Sequence, residues 1–498
     1  MSKQELYTPK WRNQGLTLGL SLPLASLAFA VATASHAPSA VAQGAGDRVL
    51  EEIIVTVRRR VEMETDVPIS MKSMDNDYLR VQGITELNDL GTTVPAVRIS
   101  NAGTSTNDPI ITIRGQRPST AGLELDQAAT MYFNEVVMTP SAGTNLAMYD
   151  LQSVQVLKGP QGTLFGRNAA AGVVNMVPNQ PSADVEGFVS VKAGNYDLVR
   201  IEGMINAPIT DDLFVRANVI TNQRDGYIDN VGSGPDIGEQ DNQAARIALL
   251  WNMTEATNLQ LSYDYDKVDN SPRGSIAVGQ FAYSDDPFSS KVDNDVISGE
   301  ETRDMYAVTA KLNHEFNDNM SMKLITSYRD WDTTNREDED GSGDRTAYID
   351  INTGYDSDIF YNEVQFHFVN DRVDWITGAS YSQESVKQEL IATLYTDSEA
   401  RFVTNGINSD FGTDLEYYWN PDEFADLLNS AFPILGIGTG SLTGMDVSNA
   451  NGTGGDYYDQ LATSPFVNDT AIFGPVPWAG NLWQGRIDNE GDLYNWGI

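Results

Sequence analysis

The chain has 498 residues, 32 Lys+Arg against 70 Asp+Glu for a net charge of −38, three histidines and no cysteine. At about 100–200 residues per domain, that length holds more than one domain or one large β structure. The acidic excess excludes the basic stripe a phosphate backbone requires, so no nucleic-acid partner is expected. Zero Cys excludes disulfides, thiolate-held metals and thiol catalysis. His36, His314 and His367 are too few for a multi-histidine metal centre, and no nucleophile–base pair stands out. The expectation is a protein that is not an enzyme, with no cofactor and no metal site.

At the N-terminus, Lys3, Lys10 and Arg12 precede the apolar stretch Leu16–Val31 and the small-residue triplet Ala40-Val41-Ala42. A basic head, a short apolar run and an A-x-A site read as a secretory signal peptide over residues 1–42. No later segment approaches about 18 consecutive apolar residues, so no helical membrane span is expected in the mature chain. A mean hydropathy of −0.33 still suits a membrane barrel, because lipid-facing and lumen-facing residues alternate and average out.

Residues 43–183 are mixed in texture and nearly balanced in charge, with 15 acids against 11 bases. Glu52-Ile53-Ile54-Val55-Thr56-Val57 is a short β-prone segment, and Arg58-Arg59-Arg60 after it reads as a solvated linker or a contact. Further on, Lys158-Gly159-Pro160-Gln161-Gly162 runs through Gly166-Arg167-Asn168, with glycines and a proline where tight turns exclude side chains. The same glycines do not make a phosphate loop: the spacing is wrong and the Lys-Ser/Thr pair is absent.

Beyond 184 the sequence alternates. Leu259-Gln260-Leu261-Ser262-Tyr263-Asp264-Tyr265-Asp266 is strict period two, and the runs from Val199, Leu213, Tyr306, Met322 and Val373 repeat it. Short connections such as Asn317–Asn319 take turns with long ones at 223–242, 267–302, 332–358 and 383–490. That order predicts an antiparallel transmembrane β-barrel with its long loops at one end, where a soluble sandwich has no reason to gather them. The four long connections carry 37 acids and 9 bases, which places most of the negative charge on the presumed outer surface. Nine strands are predicted, with a tenth in Tyr494–Ile498. A lipid-spanning sheet must close, so the expectation is about the first half of a barrel, part of a longer protein.

In combination these segments resemble the TonB-dependent outer-membrane receptors, siderophore receptors in particular. Gly83-Ile84, Leu87-Asn88-Asp89-Leu90, Pro95-Ala96-Val97, Ile113-Arg114-Gly115, Tyr132–Val136 and Val173-Val174-Asn175 fall in the family's order. The resemblance implies a TonB box and linker over 43–60, a small α+β plug domain over 61–183, and a partial barrel over 184–498 of a type that has 22 strands in the family. It implies that Glu52, Ile53, Ile54, Val55, Thr56 and Val57 bind TonB by strand addition to a periplasmic sheet edge. Arg114, Gly115, Lys158, Gly159, Pro160, Gln161, Gly162, Gly166, Arg167 and Asn168 become the structural plug motif, with Arg114, Lys158 and Arg167 as partners for wall carboxylates. It further implies a monomer in outer-membrane lipid that imports a ferric siderophore or another scarce solute: an oligosaccharide, cobalamin or an aromatic compound; the alternatives are a non-functional truncated receptor, a passive porin or a secreted binding protein. The chain departs from the family at Asn134-Glu135, where Asp-Gly is usual, and at Lys158, where arginine is usual.

Two segments stay open. Glu337-Asp338-Glu339-Asp340-Gly341-Ser342-Gly343-Asp344 resembles a calcium loop, but Arg336 and Ala347 occupy positions an EF-hand frame gives to carboxylates. The aromatics of 383–490, among them Tyr417, Tyr418, Trp419 and Trp483, suit a ligand surface, a membrane girdle or loop packing alike.

Overall fold

A computed structural model describes residues 54–55, 62–64, 67–102, 105–117, 127–138, 143–277, 283–343 apart from 285, 287–288 and 297, 348–395 and 482–497. The chain divides into Met1–Glu52 and Ile53–Ile498. The first unit, with the expected signal peptide, lies outside the described residues.

In the second unit, β1 (Ile54–Val55) pairs antiparallel with β2 (Glu62–Met63). Seven strands follow in the plug: β3 (Met71–Asp75), β4 (Val97–Ala102), β5 (Ser105–Ile113), β6 (Ala129–Phe133), β7 (Val136–Met138), β8 (Leu151–Lys158) and β9 (Gly172–Pro178). Five form a mixed sheet in the order β3-β8-β9-β6-β7, with β6 and β9 parallel, and β4 pairs with β5 alone. β8 and β9 are central and almost wholly buried, as their Val/Leu-rich runs require. The helix Asn76–Gln82 opens on Asp75, whose carboxylate accepts from Tyr78 N at 2.7 Å, and ends at Gly83 in the left-handed conformation.

The wall is one antiparallel sheet of ten strands. They are β10 (Glu186–Ala193), β11 (Val199–Pro208), β12 (Leu213–Arg224), β14 (Gln240–Thr254), β15 (Thr257–Asn270), β17 (Glu300–Asn317), β18 (Met320–Asp338), β19 (Ile349–Asn370), β20 (Val373–Tyr395) and β21 (Leu482–Gly497). The short β13 (Asp229–Asn230) and β16 (Lys291–Val292) pair with each other between the long loops. No helix among the described residues is long and apolar enough to cross a membrane.

Alternation assigns the two faces of the wall. On β17, Glu301, Arg303, Met305, Ala307, Thr309 and Lys311 are buried toward the plug, while Tyr306 and Val308 are exposed. The outward face carries Tyr263, Tyr306, Tyr328 and Phe360 at one level, and Phe316, Met320 and Trp375 toward the short turns. Tyr306 and Phe316 lie ten residues apart on one strand, about 34 Å at ~3.4 Å per residue. At a tilt of about 40° that separates the two aromatic levels by ~26 Å, the height of an outer-membrane apolar band.

The strands outrun that band. β17 to β20 have 18, 19, 22 and 23 residues, where crossing a bilayer takes about 9–11. The strands run into the connections predicted at 223–242, 267–302, 332–358 and 383–490, taking 223–224, 240–242, 267–270, 300–302, 332–338, 349–358, 383–395 and 482–490. Beyond the bilayer both faces of a strand meet water, so the apolar alternation stops while the backbone ladder continues. These strand extensions carry 14 of the 37 acids and 5 of the 9 bases, so part of the acidity assigned to loops sits on strands.

Plug and wall share a core. Met305, Trp331 and Ile359 of the wall join Met74, Leu90, Ile113, Val154, Val156 and Val174 of the plug. Trp331 is 2 % exposed, and a Cβ on Gly143 (φ +76) would stand 2.4 Å from its Cδ1, so only glycine admits the ring. Trp331→Ala is expected to destabilise the folded chain by about 3–5 kcal/mol through loss of the ring and the cavity left behind. Denaturant titration of detergent-purified protein, followed by tryptophan-independent circular dichroism, measures it; a change under 1 kcal/mol would mean that the ring is not core.

Candidate functional site

The functional region is where the plug meets the wall. One of its buried polar contacts joins Asp150, just before β8, to Arg216 of β12. Arg216 Nε donates to Oδ2 at 2.7 Å and Nη2 to Oδ1 at 2.6 Å, while Asn179 Nδ2 donates to Oδ1 at 2.8 Å. Both side chains are under 10 % exposed, so the pair is a desolvated fork whose geometry only arginine supplies. Toward the long loops, Arg303 of β17 holds Asp266 of β15 and donates from Nη1 to Asn107 Oδ1 of the plug at 2.9 Å. Beside it, the buried Glu301 accepts from the backbone N–H of Asn107 at 2.9 Å and from Thr106 Oγ1 at 2.7 Å, so this carboxylate holds the start of strand β5.

Sheet register explains how residues so distant in sequence share a level. Asn218, Arg246, Asp264, Ala307, Arg329, Ile359 and Glu384 form one plug-facing row across six strand pairings. Arg246 lies 3.4 Å from Asp264 and 5.2 Å from the centre of the Phe133 ring. At the far end Glu384, 1 % exposed, pairs with Arg167 of the plug motif at 3.5 Å.

Of the three cations expected to meet wall carboxylates, Arg167 does so. Lys158 stays on the plug, its Nζ donating to Pro95 O at 3.4 Å in an exposed contact. Arg114 has φ +53 in an exposed turn with Gly115 (φ +80), and among the described residues it makes no ion pair with the wall. Its guanidinium instead crosses Gly159, where a Cβ would stand 3.3 Å from Nη1. The remaining motif residues build one turn. Gly159 N donates to Ala171 O and Gln161 N to Ala169 O, both at 2.8 Å, and Gly162–Phe165 is a single helical turn beyond Pro160. Gly166 and Asn168 are left-handed, and Tyr132 closes the structure by donating to Phe165 O at 2.8 Å with its ring edge-on to Phe165.

The Asn134-Glu135 departure has a definite shape. Both residues are left-handed, φ +53 and +71, which makes the β6–β7 connection a two-residue type I′ turn. A non-glycine residue there costs about 1–2 kcal/mol. Glu135 accepts from Lys311 Nζ at 2.9 Å and Lys323 Nζ at 2.8 Å. Burial alone would raise its carboxyl, but the two ammoniums hold it well below the usual carboxylate range.

Of the expected TonB-binding residues, Ile54 and Val55 form β1, in register with Met63 and Glu62, whereas Glu52, Ile53, Thr56 and Val57 lie outside the described residues. The acidic run after β18 closes on itself. Asp338 accepts from Gly341 N at 2.8 Å and Asp340 from Ser342 N at 3.0 Å and Ile349 N at 2.9 Å; Asp344 and Ala347 lie outside the described residues.

Between plug segments at 85–86, 106–107 and 145–147 and the long-loop ends of β11 to β17 lies a cavity of ≈ 120 Å³. Its lining holds five cations (Arg200, Arg224, Lys267, Arg273, Arg303) against four carboxylates (Glu86, Glu239, Asp266, Glu301), one aromatic ring (Tyr227) and many amides. Among the described residues, Arg200 Nε, Arg224 Nε and Asn242 Oδ1 are buried there without a hydrogen-bond partner. Sequence reading missed Asp150, Arg216, Glu301, Arg303 and the whole cavity. The available signal was charge on plug-facing positions of the period-two strands, as at Arg216, Arg246, Arg303 and Lys311.

Residues 64–173 match the family described as TonB-dependent Receptor Plug Domain. The pesticin receptor of Yersinia pestis is 32% identical over 157 residues, 31% of this chain and 22% of that protein. The catecholate siderophore receptor Fiu of Escherichia coli K12 is 26% identical over 280 residues, 53% of this chain and 34% of that protein. Among solved structures, the ferric yersiniabactin uptake receptor FyuA from Yersinia pestis superposes with a TM-score of 0.56 at 19% identity, covering 65% of this chain and 49% of that one. The pyoverdine receptor FpvA from Pseudomonas aeruginosa, bound to pyoverdine, gives 0.56 at 16%, covering 68% and 50%. Residues 64–173 are thus matched as a TonB-dependent receptor plug domain, and plug and wall together have the fold of these solved outer-membrane receptors. The matched part of the chain spans between a fifth and a third of these curated relatives, and about half of the solved chains.

Arg216→Ala is expected to cost about 3–5 kcal/mol, because it strands the buried Asp150 carboxylate. Arg216→Ala with Asp150→Ala should recover part of that loss, read as the coupling in a double-mutant cycle on unfolding free energy. Glu135 sets a pH dependence whose sign follows from its depressed pKa. Its stabilisation is complete above the unfolded value of about 4.3 and disappears as pH falls below it. Between pH 5 and pH 2.5 the wild type should therefore lose more stability than Glu135→Gln; equal losses would remove Glu135 from the acid response.

Proposed function

We propose that the chain serves TonB-dependent active import of a scarce, bulky solute across the bacterial outer membrane, with a ferric siderophore as the first candidate. The observation that carries the reading is a plug held against the wall by buried forks such as Asp150–Arg216. A plug fixed in this way closes a passive route, so flux requires work on it. Glu52–Val57 is the segment assigned to TonB. An extended Ile/Val/Thr strand offers main-chain hydrogen bonds to a partner's sheet edge and a grip along which force is transmitted.

The cavity at the long-loop end is the solute's first station. At ≈ 120 Å³ it is smaller than the ~300–1,000 Å³ of sites that enclose a drug-sized ligand, so it takes one projecting group of the solute rather than the whole. Its lining reverses the sign of a chain that is otherwise −38, which admits an anionic chelate past acidic loops. The unpartnered Arg200 Nε and Arg224 Nε are donors for such a group. A second reading, a hydroxyl-rich solute such as an oligosaccharide, is favoured by the amide-rich lining with Tyr227 as its one aromatic ring. The proposed molecule is a monomer in outer-membrane lipid, with TonB as its periplasmic partner.

Uptake of labelled ferric siderophores and labelled oligosaccharides by a receptor-deletion strain expressing the chain separates the two readings. Deleting residues 52–57 is expected to abolish uptake of whichever solute is taken; flux that survives the deletion indicates a passive pore instead. Arg200→Gln with Arg224→Gln should raise the half-saturating concentration about tenfold for an anionic solute, as loss of charge-assisted hydrogen bonds of about 1.5 kcal/mol predicts, and leave a neutral one unchanged.

A further inference from the structure

The two-residue β6–β7 turn normally favours glycine at its second position, because the backbone there is left-handed. This chain places Glu135 there, and the side chain makes contacts that glycine cannot. Its Oε1 lies 2.9 Å from Lys311 Nζ and its Oε2 2.8 Å from Lys323 Nζ, with the Lys311 side chain 6 % exposed. Lys311 and Lys323 stand on neighbouring strands in diagonal register, since Lys311 opposes Ile325 and Lys323 opposes Asn313. One carboxylate therefore bridges both, close to the short turn that joins β17 and β18.

The rest of the turn follows the same direction. Asn134 Nδ2 donates to Ser262 Oγ of β15 at 3.3 Å, and Val136 is buried against Ile325 of β18 and Tyr361 of β19. The tip of one hairpin thus reaches four consecutive wall strands. Within the plug β6 is held by parallel pairing to β9, whereas β7 is three residues long, pairs only with β6, and forms the edge of the five-stranded sheet opposite β3.

We propose that the Asn134-Glu135 turn is a peg and that Glu135 is the positioning residue that seats the β6–β7 edge of the plug in the wall. The left-handed backbone makes the seat conditional. With both lysines in place the ion pairs and apolar contacts hold a conformation that glutamate otherwise avoids; with the carboxylate gone, the turn relaxes and the edge strand leaves the wall. The plug then has two unlike edges. β7 is fixed to the wall through its turn, whereas β3, which receives the chain from the N-terminal segment, is held by pairing to β8.

Hydrogen–deuterium exchange on the full chain in detergent tests the peg without any transported solute, so its outcome is independent of the import reading. Glu135→Gln is expected to speed exchange of the 129–138 amides about tenfold while amides of 151–158 and 172–178 keep their protection. Glu135→Gly removes the backbone strain along with the charge, and it too should speed exchange at 129–138. The exchange of signs, Glu135→Lys with Lys311→Glu and Lys323→Glu, should return protection to within about threefold of wild type. The proposal fails if Glu135→Gly protects the hairpin as well as wild type does, since turn strain and not the ion pair would then govern it. It fails equally if protection is lost uniformly across 151–158 and 172–178, or if the exchanged signs exchange as fast as Glu135→Gln.

Discussion

The structure depends on one constraint: charges on the inner face of the wall, Arg216, Arg246, Arg303 and Lys311 among them, are buried away from bulk water. A buried guanidinium or carboxylate without a partner costs several kcal/mol, so plug and wall must each supply what the other lacks. Asp150 on Arg216 is the tightest instance, a bidentate fork with a third donor from Asn179. Once that pair sets the height of the plug, Asn107 falls beside Arg303, Arg167 beside Glu384 and Glu135 between Lys311 and Lys323. The apolar contacts of Met305, Trp331 and Ile359 add energy but little direction, because they accept any well-filled neighbour.

Under the proposed import, such an interface suits a plug that is held and yet removable. Buried ion pairs are costly to desolvate and gain much of that back in the pair, so they specify position more than they add net stability. A plug seated chiefly by an apolar core would resist movement through its whole contact area. Here the contacts are discrete, and each is a small number of hydrogen bonds that can be broken in turn. The row containing Arg246, Asp264, Arg329 and Glu384 keeps charges of both signs within reach of one another, which limits the cost of separating any one plug contact.

Much of this was legible in the sequence. Strict alternation in residues 259–266 identified the wall, because a strand with lipid on one side and plug on the other has no other way to distribute its residues. The Gly-Pro-Gln-Gly turn and its flanking segments identified the plug, because the turn's tight backbone admits few residue types. The reading stopped where period two stops. Residues 332–338 continue as strand with polar residues on both faces, and 349–358 with only Ile349, Ile351 and Tyr355 apolar on one, so the sustained alternation that marks a lipid-facing strand is missing above the bilayer. The expectation that Lys158 and Arg114 meet wall carboxylates was mistaken for a different reason: charge shows that a partner is needed, not which side of the plug it comes from.

Local pattern by itself determined the class, the order of plug and wall, and which residues of each strand face inward. Only tertiary structure decided which charges meet. The partners are separated by 66 residues for Arg216 and Asp150, 176 for Lys311 and Glu135, and 196 for Arg303 and Asn107. No periodicity spans such distances. The pairing follows from sheet register and from the depth at which the plug comes to rest, both of which are settled by burying many side chains at once. For the same reason the exchange of Asp-Gly for Asn134-Glu135 reads as a weakened turn in sequence and as an anchored one in the fold.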